Sequence, residues 1–155
     1  MKLLFTAEKI LTPADSKTHM AFAFEVTANL AAVELRFSYA PKRCEDRGLS
    51  RRLILDGLKR YAPAAASGQT LRWQDYLPVQ NLLTLSLDTP SGYAGCAHRH
   101  NPVQRHTVAP GKCSPGFAVT SLKPGLWHAV VSAHCVATPQ CVFVLEAYGA
   151  TEGET

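Results

Sequence analysis

Apolar and polar residues alternate with a period of two in several stretches of this chain, the pattern of half-buried antiparallel strands. Val33, Leu35, Phe37 and Tyr39 alternate with Glu34, Arg36 and Ser38, and Leu83, Leu85 and Leu87 alternate with Thr84, Ser86 and Asp88. Met20, Phe22, Phe24 and Val26 share a third face, although Ala21 and Ala23 soften the contrast. Lys2–Ile10 reads as a first strand and Val103–Val108 as a short one. Near the C-terminus, Leu122-Lys-Pro-Gly125 marks a turn. Trp127, Ala129, Val131, Ala133 and Cys135 then alternate with His128, Val130, Ser132 and His134. After Ala137-Thr-Pro-Gln140, a return strand carries Cys141, Phe143, Leu145 and Ala147, so the two strands are expected to form a hairpin. On this reading Cys135 and Cys141 point into the core as inert thiols, while His128 and His134 lie outside it.

One segment follows a different period. From about Arg43 to Tyr61, Leu49, Leu53, Ile54, Leu58 and Tyr61 recur at helical spacing, which predicts an amphipathic helix that tolerates Gly48 and Gly57. Ala62–Gly68 follows as a loop. The expected architecture is therefore mostly β: an antiparallel β-sandwich, jelly-roll-like, with one inserted amphipathic α-helix. It forms one domain over residues 1–150, with 151–155 as a frayed tail.

Composition narrows the class without changing the fold. The 155 residues suit a single domain, and 46% hydrophobic with 18% charged residues is ordinary globular composition. No apolar run approaches the ~18–20 residues that cross a bilayer, so no membrane association is expected. Glu8 and Lys9 interrupt the apolar start before a signal h-region forms, and the expected address is cytoplasmic. Five cysteines, an odd number with no C-x-x-C pair, point to reduced thiols. Most of the charge lies in the helical segment. Its seven cations (Lys42, Arg43, Arg47, Arg51, Arg52, Lys59, Arg60) against Glu45, Asp46 and Asp56 equal the net +4 of the whole chain. Without interleaved aromatics, such a face reads as solvated rather than as a nucleic-acid surface.

Catalytic motifs are missing: there is no G-x-S-x-G, no glycine-rich phosphate loop and no H-E-x-x-H. Glu25, Glu34, Asp88 and Glu146 alternate outward from strands with no evident pairing. The histidines carry the remaining chemistry. Cys96, His98 and His100 occupy alternate positions and would share one strand face. With His134 from another strand, His98 and His100 could begin a site for zinc or another divalent transition metal. If Asn101-Pro102 is a two-residue hairpin turn, His106 faces away from them. Trp73, Tyr76 and Tyr93 are exposed-loop aromatics of the kind a carbohydrate-binding module offers.

The order of several turns resembles a known family. Asn81-Leu-Leu-Thr-Leu-Ser-Leu-Asp88 runs on into Thr89-Pro-Ser-Gly-Tyr-Ala-Gly95 and Ala97-His-Arg-His100. Ser114-Pro-Gly-Phe117, Leu122-Lys-Pro-Gly-Leu-Trp127 and His134-Cys-Val-Ala-Thr-Pro-Gln-Cys141 follow. This succession is similar to the N-terminal β-sandwich that precedes the catalytic domain in a branch of bacterial PHP-type metal-dependent phosphoesterases. The resemblance implies a non-catalytic accessory or ligand-binding module. Its expected partner is a catalytic phosphoesterase domain, or a second copy of itself. His98-Arg99-His100 imitates the His-x-His that opens a PHP metal site, but the later Asp, Glu and His clusters of that domain do not follow. A small His-rich metalloprotein and a carbohydrate-binding module are the alternatives.

Overall fold

The computed structural model describes residues 1–62 and 71–154. The alternating segments become eight strands: β1 (Lys2–Leu11), β2 (Thr18–Val26), β3 (Ala32–Ala40), β4 (Leu82–Thr89), β5 (Gly92–Ala97), β6 (Val103–Val108), β7 (Gly125–Cys135) and β8 (Cys141–Ala150). They form two antiparallel sheets of four, in the orders β1-β8-β3-β6 and β2-β7-β4-β5. Partners nest as 1 with 8, 2 with 7, 3 with 6 and 4 with 5, which is the jelly-roll order. The mostly-β sandwich with a jelly-roll path is thus the fold of this chain.

Period-two patterning explains the core. Val33, Leu35, Phe37 and Tyr39 from β3 meet Phe143 and Leu145 from β8, and facing them are Leu83, Leu85 and Leu87 of β4 and Trp127, Ala129 and Val131 of β7. Trp127 is fully buried, and its indole N–H donates to the Lys123 carbonyl at 2.9 Å, so a large apolar surface enters the core with its one polar atom satisfied. Full burial of one such side chain contributes roughly 1.5–3 kcal/mol.

Three local readings change. First, β7 and β8 are not a hairpin: β7 pairs with β2 and β4, β8 with β1 and β3, and residues 136–140 cross between the sheets. A short loop fits both connections, and alternation alone does not say which sheet a strand joins. Second, Cys135 is exposed rather than inward. The β4–β7 register steps from Leu83↔Ala133 to Leu82↔Cys135, so His134 is an extra residue in a bulge and the inside–outside phase beyond it is broken. Cys141, in contrast, is in the core as expected. Third, the helix α1 spans Arg47–Tyr61 rather than starting at residue 43. Asp46 caps it by accepting the Leu49 N–H at 2.9 Å, while Cys44 N–H donates to the Val79 carbonyl and Arg43 bridges to Gln80. Only Ser50 and Ile54 of α1 are buried; Leu53 is 37% and Tyr61 75% exposed, so part of the apolar stripe faces outward. The Ala62–Gly68 loop lies mostly outside the described residues.

A buried asparagine ties the crossovers together at one end. Asn81 is wholly enclosed; its amide NH2 donates to Pro41 O (2.9 Å) and Thr138 Oγ1 (2.7 Å), and its oxygen accepts from Ala137 N (2.7 Å) and Thr138 N (3.3 Å). Every lone pair and proton of the amide is used.

The β5 and β6 edges on one side are stitched by a strap, residues 114–118. Ser114 N–H donates to Thr107 O on β6, while Cys96 N–H donates to Gly116 O and Ala118 N–H to Ala94 O on β5. The approach is close enough that a Cβ on Gly95 (φ 132°) would collide with Gly116 and Phe117 backbone, and one on Gly116 (φ 99°) with the Cys96 carbonyl. The strap covers both exposed edges, where an open strand would invite pairing with another chain. At the C-terminus, where a frayed tail is expected, Glu154 N–H donates to Thr151 O in a turn; residue 155 lies outside the described residues. No helix among the described residues is long and apolar enough to cross a membrane.

Candidate functional site

His98 and His100 lie in the segment between β5 and β6, and His134 lies near the end of β7. β5 ends at Ala97, opposite Leu85, because the chain must leave one sheet there to begin β6 in the other. His98, Arg99 and His100 are therefore exposed in the crossing segment and share no strand face with Cys96, and Asn101-Pro102 is part of that crossing rather than a hairpin turn. His134 sits in the β7 bulge and shares a 2.7 Å hydrogen bond with Thr84 Oγ1 through Nε2. His19 Nδ1 is likewise 2.7 Å from Ser132 Oγ on the same outer sheet face. Among the described residues, no three His, Cys, Asp or Glu side chains come close enough together to hold a metal ion. The aromatics are also dispersed: Trp73 and Tyr76 lie in a 3-10 turn, Arg47 stacking over Trp73 at 5.2 Å, while Tyr93 is on β5.

What the crossing segment does build is a polar cavity of about 340 Å3 at the β6 edge, walled by Arg99, Asn101, Gln104, Arg105, His106 and Ser114. Its inner wall is unusual for a sandwich. Gln104, His106 and Val108 share the inward face of β6, and Gln104 and His106 are both buried. Their polar atoms are tied locally. Gln104 Nε2 donates to Asn101 O (2.7 Å) and Arg99 O (3.3 Å), which leaves its oxygen facing His106 Nε2 at 2.9 Å. Carbonyl oxygens only accept, so this chain fixes Nε2 as the protonated nitrogen and leaves Nδ1 a bare acceptor. Nδ1 has no hydrogen-bond partner and is sealed from solvent. The ring packs against Phe117 at 5.2 Å. Burial, helped by the Arg99 charge, pushes the His106 pKa below its ordinary value, and the imidazole is neutral at pH 7.

The second wall is held by a buried carboxylate. Glu34, 5% exposed and expected to face solvent alone, accepts Arg36 Nε at 2.7 Å and an Arg105 terminal nitrogen at 2.6 Å. Arg36 and Arg105 are cross-strand neighbours, so Glu34 also relieves a repulsion between like charges. Burial alone would raise the Glu34 carboxyl, but hydrogen bonds and charge from Arg105 and Arg36 outweigh it and hold the pKa below the usual range. Ser114 Oγ accepts the Thr107 N–H at 2.9 Å, which leaves its own proton to give.

Sequence reasoning looked for ligating histidines and passed over Arg99, Gln104, Arg105 and Ser114. One signal was present. The Gln104-x-His106-x-Val108 phase places polar side chains in register with an apolar one on a strand otherwise read as ordinary.

A second depression, about 530 Å3, lies between α1 and the bulged end of β7, with Leu53, Ile54, Tyr61 and Val136 on its walls and Lys17 and Arg60 among its polar members. Cys135, exposed as a residue, borders it, and desolvation of its sulfur raises the thiol pKa. No protein-family model matches this chain, and no curated protein matches it either.

Proposed function

We propose that this chain is a non-catalytic β-sandwich module that takes a small ligand in the cavity at the β6 edge, as an accessory domain of the kind it resembles in PHP-type phosphoesterases. One observation carries the reading. His106, the one histidine lining that cavity among the described residues, has neither nitrogen free for acid–base work, since Nε2 donates to Gln104 and Nδ1 is enclosed. Proton transfer needs a group within hydrogen-bond reach of substrate, and here the histidine is structural while arginine and hydroxyl donors remain for binding. The groove beside α1 suits the accessory role. Its exposed Leu53 and Tyr61, flanked by Lys17, Asp56 and Arg60, fit a catalytic partner domain that covers an apolar patch with a charged rim of both signs.

The test is a pair of measurements on the purified chain. Small molecules are titrated while amide shifts of Arg99–His106 are followed, and phosphoester hydrolysis is assayed with added divalent metal. The expected result is saturable shifts confined to the cavity and no turnover. Metal-dependent hydrolysis abolished by His98→Ala overturns the proposal.

A further inference from the structure

The side chains around the β6-edge cavity can be sorted by what each has left to offer. On the acceptor side, Gln104 Oε1 is taken by His106, Asn101 Oδ1 by the Val103 N–H at 2.9 Å, and Ser114 Oγ by the Thr107 N–H. The last acceptor, His106 Nδ1, is sealed. On the donor side, Ser114 keeps its hydroxyl proton, Arg105 keeps the N–H groups not given to Glu34, and Arg99 makes no ion pair among the described residues. Among the described residues no carboxylate lines the cavity, Glu34 pairing with Arg105 without entering it. A cavity whose side chains retain donors and the positive charge of Arg99, beside the Glu34-paired Arg105, with their acceptors already engaged, is matched by an anion that only accepts.

We infer that this cavity binds a phosphate group, free or as a small phosphomonoester, through Arg99, Arg105 and Ser114. The inference rests on the binding-module reading and gives it a ligand class. Three donors come from three separate segments: the crossing (Arg99), strand β6 (Arg105) and the strap (Ser114). They suit the three terminal oxygens of a phosphomonoester better than the two coplanar oxygens of a carboxylate. Arginine forks pair well with phosphate, which carries about −1.5 to −2 charge at pH 7. Glu34 fixes one guanidinium beforehand, so Arg105 loses less freedom on binding. The space, about 340 Å3, exceeds what a bare ion fills, since water occupies ~30 Å3 per molecule, and leaves room for a small organic group.

Calorimetric titrations with inorganic phosphate, glycerol phosphate, sulfate and acetate test this, with His106 ring signals followed in parallel. Saturable one-to-one binding is expected for glycerol phosphate, with acetate much weaker. Arg99→Gln and Arg105→Gln should each weaken it by about tenfold or more, the usual effect of losing a charge-assisted hydrogen bond. The exposed Arg99 variant is expected to fold normally, and Arg105→Lys keeps a charge near Glu34 should the glutamine variant unfold. An anion beside Arg99 should also raise the His106 pKa, a readout independent of affinity. Equal affinity for inorganic phosphate and the ester identifies free phosphate as the source; preference for the ester identifies a phosphomonoester. Acetate binding as tightly as phosphate, no saturation by either phosphate probe, or affinity unchanged in both arginine variants overturns the inference. A neutral ligand occupying the cavity instead would overturn it while leaving the binding module intact. Hydrolysis of the ester during titration would overturn the non-catalytic reading and leave the site standing.

Discussion

Asn81 donates to Thr138 Oγ1 at 2.7 Å and so joins the start of β4 to the crossover between β7 and β8. The same amide reaches Pro41 and Ala137, so one side chain joins both ends of the β3–β4 connection to the β7–β8 crossover. Asn81→Leu keeps the volume but strands several buried backbone groups, and should cost about 2–4 kcal/mol on the usual cost of unsatisfied buried polar atoms. Urea unfolding would show it as a lower midpoint with an unchanged slope. Thr138→Val, which removes one bond of the set, should cost less.

Stability should fall as the solution is acidified from about pH 6.5, the ordinary histidine pKa. His106 has a lowered pKa in the folded chain because it is buried and near Arg99. Between the folded and unfolded values the unfolded chain therefore binds more protons, and acid favours unfolding. The contribution is complete above about 6.5 and is lost as pH drops through the folded value. Unfolding free energies measured from pH 8 to 5 should decline, and a His106→Gln variant should show a shallower decline over the same range.

Glu34→Gln should destabilise by about 1.5–3 kcal/mol, the range for hydrogen bonds to charged groups. It leaves Arg36 and Arg105 facing each other across β3 and β6 without the shared carboxylate. Added salt should recover part of the loss by screening that repulsion. Denaturant titrations at low and high ionic strength would measure both effects.

Native labelling should separate the thiols. Cys135 is exposed by the bulge, whereas Cys44 and Cys141 are buried. A thiol reagent should modify Cys135 in the folded chain, faster as pH rises toward its raised pKa, and reach Cys44 and Cys141 only on unfolding. Mass spectrometry of the digested product identifies the site; modification of Cys141 ahead of Cys135 would contradict the bulged register.

The strands were legible because a sheet with one buried face prints its period on the sequence, as in Val33–Tyr39 and Leu83–Leu87. Allocation of strands to sheets was less so. β7 and β8 have the composition of a hairpin, yet a jelly roll sends them to opposite layers, and that choice depends on partners more than a hundred residues away, such as Lys2 opposite Gly149. The Cys135 error has a still more local cause: one extra residue at His134 reverses a phase that alternation assumes is continuous. At the site, Arg99 was visible only as the spacer between two histidines. The importance of Gln104 and His106 depends on an enclosed polar chain whose partners are backbone carbonyls, which no residue spacing records.

The position of β8 has a consequence for synthesis. β8, last in chain order of the eight strands described, is an interior one, flanked by β1 and β3. A ribosome that has released everything up to residue 140 has therefore supplied the first, third and sixth strands of that layer without the one that joins the first to the rest. β1 must wait for β8 before it has a neighbour in its sheet. That layer thus stays divided until β8 has emerged, and during that interval β1 is the segment of the sandwich most in need of protection from other nascent chains.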